Sequence, residues 1–111
     1  MNPLILKYQS SIRKICRSLA VKELYIFGSG ADDTIRKDSD LDFLVSFKNG
    51  LSAEIYADNY FKLHQALEDL FNREIDLLTD RQLSNPFLIE SINSSKQLVY
   101  EETDKKNICL I

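Results

Sequence analysis

Two aspartates two positions apart, Asp40 and Asp42, stand at the head of an apolar run that continues through Phe43, Leu44 and Val45. In a β-strand, residues i and i+2 share a face, so the two carboxylates project together while Leu41, Phe43 and Val45 point the other way. Like charges side by side on a strand cost roughly 0.2–1 kcal/mol when exposed, and more where water is excluded. A divalent cation is the simplest compensation. A third acid, Asp76, lies in a second strand pattern at 74–78, where Ile75 and Leu77 occupy one face and Asp76 the other. If the two runs are sheet neighbours, Asp76 joins Asp40 and Asp42. Three carboxylates on one face, beside a Gly28-Ser29 turn with free backbone N–H groups, form a site for metal ions and a triphosphate. That combination points to nucleotidyl transfer.

The elements that must carry these residues follow from the pattern around them. Residues 21–27 are rich in β-favouring types and predict a first strand that delivers the chain to Gly28. Gly28 permits a positive φ and a close approach of phosphate, and Ser29 adds a hydroxyl donor. Ahead of this strand, Leu4, Tyr8, Ile12, Ile15 and Leu19 recur at steps of three and four, which predicts one helix over 2–20. Its other face carries Lys7, Arg13, Lys14 and Arg17, read as solvated. Ser52 is placed to cap a helix over 53–71, whose stripe of Tyr56, Tyr60, Leu63, Leu67, Leu70 and Phe71 belongs to the core. His64, the sole histidine, borders that stripe and is expected to be a partly buried structural residue. Beyond the third strand, Thr79 and Asp80 start a helical turn, Asn85 and Pro86 a helix to about 93, and residues 97–100 a last strand.

Gly28-Ser29, ten intervening residues, then Asp40-Leu41-Asp42, followed by a strand-borne Asp76, resembles the minimal nucleotidyltransferase family of the polymerase-beta-like superfamily. The resemblance extends over about 21–100 and includes Lys37-Asp38-Ser39 before the acids and Asn85-Pro86-Phe87 near the end. It implies an α/β fold with a small mixed sheet, helices mainly on one face and the acidic site on the open edge. It implies Mg2+ held by Asp40, Asp42 and Asp76, ATP as substrate, and phosphate contacts from Gly28, Ser29 and Arg36. As a partner it implies a HEPN-domain ribonuclease toxin, whose tyrosine hydroxyl would receive AMP from this chain acting as antitoxin. The sequence departs from the family in the loop, where Asp32 and Asp33 replace an arginine and a glycine. Two negative charges there weaken attraction for a triphosphate unless metal ions, Arg36 or Lys37 offset them.

Bulk properties bound the remaining choices. The chain has 111 residues, 44% of them apolar and 28% charged, which fits one globular domain over 1–100 followed by a tail at 101–111. A net charge of −3 argues against extensive nucleic-acid binding, which is dominated by lysine and arginine neutralising phosphate. Two cysteines, Cys16 and Cys109, make no disulfide framework or zinc motif, so a reducing cytoplasm is the expected location. No apolar run approaches a signal peptide or a membrane span.

The resulting expectation is an Mg2+-dependent transfer of AMP from ATP to a protein hydroxyl. A contact-only antitoxin or nucleotide-binding module is the alternative, motivated by Asp32 and Asp33. Transfer to a small molecule is a further option, for which no substrate-binding domain is evident.

Overall fold

The computed structural model describes residues 3–27, 41–82 and 84–102. Two short helices, α1 (Pro3–Lys7) and α2 (Gln9–Ser18), precede the antiparallel strands β1 (Val21–Phe27) and β2 (Leu41–Phe47). A long helix, α3 (Ala53–Phe71), then carries the chain to β3 (Ile75–Thr79). A 3-10 turn (Asp80–Gln82), a helix α4 (Pro86–Ser95) and a strand β4 (Gln97–Glu101) complete the order. The sheet runs β3-β2-β1-β4, with β2 and β3 parallel and the other pairs antiparallel. Parallel neighbours require a crossover, and α3 supplies it.

Strand alternation divides β2 between two cores. Leu41, Phe43, Val45 and Phe47 point into the main core, which also takes Ile5, Ile12 and Cys16 from α1 and α2 and Leu63, Leu67 and Phe71 from α3. Each such side chain contributes about 1.5–3 kcal/mol on burial, so these residues hold α2 and α3 to one face of the sheet. Leu44 points to the opposite face, where it meets Phe27 and the buried Ile92 of α4. The expectation of helices mainly on one face is met, with α4 covering part of the other.

Local signals explain the element ends. The Ser52 side chain accepts from the Ile55 N–H at 3.2 Å and opens α3. Asn72 closes it in the left-handed region at φ 53°, a conformation asparagine tolerates better than most residues. Asn85 caps α4 by accepting from the Phe87 N–H at 2.9 Å, with Pro86 in the first helical turn. The single helix expected over 2–20 is divided at Tyr8, whose N–H bonds back three residues to Ile5. No proline or glycine marks that break. The Tyr8 ring meets Phe71 edge-on with centroids 5.3 Å apart, a contact made across the core.

Candidate active site

The site is built where β2 and β3 lie side by side. Asp42 and Asp76 are register partners across this parallel pair, so their side chains leave the same face of the sheet. Asp42 is partly buried on an interior strand, and Asp76 is exposed on the edge strand β3. On the other side of Asp42, its register partner in β1 is Phe27, the residue that precedes Gly28. Leu41, which follows Asp40 in the chain, pairs with Ile75. The condition set by the strand patterns, that the two acidic runs be neighbours, is therefore satisfied. Gly28, Ser29, Arg36 and Asp40 lie outside the described residues, as do Asp32 and Asp33.

Two carboxylates paired in register supply hard oxygen donors of the kind that suit Mg2+. Asp42 and Asp76 thus fit a divalent cation in donor type and placement. Asp40, the expected third donor, lies outside the described residues, and among those described no group of three or more metal-ligating side chains occurs.

Helix α3 reaches this site from the edge. The Tyr60 hydroxyl donates to the Leu77 carbonyl at 2.5 Å, and His64 Nε2 lies 2.7 Å from the Ile75 carbonyl. A carbonyl only accepts, so Nε2 carries the hydrogen. The Tyr60 pKa is raised above 10.0, first by burial, then by the negative charge of Asp76, and then by Tyr56. Tyr60 is therefore held as a protonated donor within the field of Asp76. The spacing of the core stripe placed Tyr60 and His64 beside each other but gave no sign that both grip the acidic strand. The signal was a run of hydrogen-bonding side chains at steps of four, Tyr56, Tyr60 and His64, along a mainly apolar stripe.

Residues 10–99 match the family model described as a nucleotidyltransferase domain. The chain belongs to that family. Over 80 residues, 72% of this nucleotidyltransferase chain and 76% of the relative, it is 31% identical to the "Putative protein adenylyltransferase MJ1217" of Methanocaldococcus jannaschii. A second protein of that organism with the same activity in its name, MJ0128, is 34% identical over the same shares. Among solved structures, one described as a "putative minimal nucleotidyltransferase" superposes with a TM-score of 0.63 at 28% identity, covering 87% of this chain and 95% of the other. A toxin-antitoxin crystal structure with AMP-PNP gives a TM-score of 0.65 at 20% identity, covering 90% of this chain and 78% of that one. A Shewanella oneidensis complex of a tri-AMPylated HEPN toxin with an MNT antitoxin gives 0.61 at 18% identity, covering 94% and 78%. These last two likenesses concern the fold. The minimal nucleotidyltransferase resemblance read from the Gly-Ser and Asp-x-Asp spacing is thereby borne out, as is the mixed α/β sheet.

Proposed function

We propose that this chain is an Mg2+-dependent adenylyltransferase that moves AMP from ATP to a hydroxyl of a partner protein, and that this partner is a HEPN-domain toxin. The observation that carries the proposal is the register pairing of Asp42 with Asp76 on one face of the sheet. The adenylyltransferase names of the archaeal relatives support AMP as the transferred group. The fold shared with an MNT antitoxin bound to an AMPylated HEPN toxin supports the partner.

In this reading Asp40, Asp42 and Asp76 hold the cation. Bound Mg2+ would supply charge stabilisation at the phosphate oxygens. Gly28, Ser29 and Arg36 bind the β and γ phosphates and orient the α phosphorus toward the edge strand. Asp76, exposed at that edge, accepts the proton of the attacking hydroxyl. The acceptor oxygen bonds to the α phosphorus, the bridge to the β phosphate breaks, and pyrophosphate leaves. Nothing in this sequence of steps requires a polymer-gripping domain.

Titration of ATP into the purified chain with and without Mg2+ tests the site. Mg2+-dependent binding that drops at least tenfold in Asp42→Ala and in Asp76→Ala is expected. Incubation with a HEPN partner should then add the mass of AMP to that partner in the wild type alone. A contact-only antitoxin, favoured by the acidic pair Asp32 and Asp33, predicts instead that an Asp40→Ala/Asp42→Ala variant still protects cells from the toxin.

A further inference from the structure

Strand β3 lies at the edge of the sheet, and its backbone groups divide by direction. Glu74 carbonyl accepts from Leu41 N–H at 3.3 Å, so carbonyls at alternate positions point toward β2. Those of Ile75 and Leu77 point outward, where an edge strand ordinarily presents bare acceptors. Here both are taken, by His64 at 2.7 Å and by Tyr60 at 2.5 Å. Four residues of helix rise about 6 Å, and two residues of strand rise about 6.6 Å. Tyr60 and His64, one turn apart on α3, therefore match Leu77 and Ile75 with the two elements running antiparallel. Their rings are held nearly parallel, 5° apart between planes with centroids at 6.4 Å. His64 Nδ1 lies 3.8 Å from a Glu68 carboxylate oxygen.

The two gripped carbonyls flank Asp76 on either side. We propose that Tyr60 and His64 form a two-point clamp on β3 that fixes the register and position of Asp76 for cation binding. The inference rests on the reading of Asp76 as a metal ligand. A slip of β3 by one residue would turn Asp76 to the core face and bring Ile75 and Leu77 out. Burial of Ile75 and Leu77 in the main core already opposes that slip, and the two hydrogen bonds add a second hold on a five-residue strand with one described sheet neighbour. The clamp acts on the backbone, so Tyr60 and His64 are positioning residues.

The test measures Mn2+ affinity by electron paramagnetic resonance, without nucleotide or turnover, alongside urea unfolding and amide exchange at residues 75–78. Tyr60→Phe/His64→Leu is expected to weaken Mn2+ binding about tenfold and to speed exchange on β3. His64→Gln keeps an N–H donor and should retain most of the affinity that His64→Leu loses. Where the double variant does not fold, Tyr60→Phe carries the comparison. If Asp76→Asn abolishes Mn2+ binding while the clamp variants keep wild-type affinity and lose only stability, the clamp is overturned as a positioning device and is edge protection alone. If Asp76→Asn itself binds Mn2+ as wild type does, the metal reading of Asp76 fails, and the clamp proposal falls with it.

Discussion

Asp42 and Asp76 show how a single register pairing converts sequence spacing into a candidate site. Separated by 33 intervening residues, the two acids become neighbours because β2 and β3 pair in parallel with those positions aligned. Cys16 illustrates the opposite case, a reactive side chain removed from chemistry. It is fully buried, and burial pushes its thiol pKa from 9.0 up to about 12. Its folded pKa exceeds the unfolded value, so the stability tied to the neutral thiol is fully present below pH 9 and is lost as pH rises toward 12. The expected slope in that window is about 1.4 kcal/mol per pH unit. Between pH 8.5 and 10.5, urea unfolding should therefore show the wild type losing about 2 kcal/mol more than Cys16→Ala. Equal losses in the two proteins would mean that the thiol titrates in the native state without opening the core.

Helix α3 is the element on which the site depends. It provides the crossover that makes β2 and β3 parallel, buries Leu63, Leu67 and Phe71 in the main core, and presents Tyr60 and His64 to the edge strand. Its first turn is secured by the Ser52 side chain, whose oxygen satisfies one of the helix's unpaired N–H groups. Ser52→Ala is expected to lower stability by about 1 kcal/mol in chemical denaturation. Binding of Mg2+ should change little in that variant, because the cap lies about two turns from Tyr60. A large loss of cation affinity would instead show that the whole helix moves as the clamp does.

Charge over the whole molecule is strongly divided. Lys7, Arg13, Lys14, Arg17 and Lys22 fall within the first 22 residues without an acid among them, which leaves a net −8 on the remainder. The acid-rich part includes the candidate site, so its field opposes the approach of a triphosphate unless a cation offsets it. Among the described residues, no helix is long and apolar enough to cross a membrane. Ligand linkage gives the corresponding prediction for the folded chain. At ATP near 100 times its dissociation constant with Mg2+ present, stability should rise by about 2.7 kcal/mol. For a chain of this size the thermal midpoint would move up by on the order of 10 °C. Thermal melts of wild type and Asp42→Ala check this, and an equal shift in both would place the nucleotide elsewhere.

Much of this arrangement is legible without coordinates, for identifiable reasons. Alternation from Leu41 onward and the 3.6-residue stripe at 53–71 are local patterns, set by which side chains water expels; a strand occurs at Leu41–Phe47, and the helix occurs with the expected bounds. Caps at Ser52 and Asn85 are equally local, since a short polar side chain satisfies N–H groups two or three residues away. The break at Tyr8 was not legible, because no proline or glycine marks it. Nor was the cover of α4 over Leu44 and Phe27, which depends on where the last helix returns. Residue types and spacing alone determined the candidate acids and the strands that carry them. Only the tertiary structure decided that Asp76 stands beside Asp42, and that α3 holds the strand bearing it. Strand register and edge hydrogen bonding join residues distant in the chain, and no local pattern contains them.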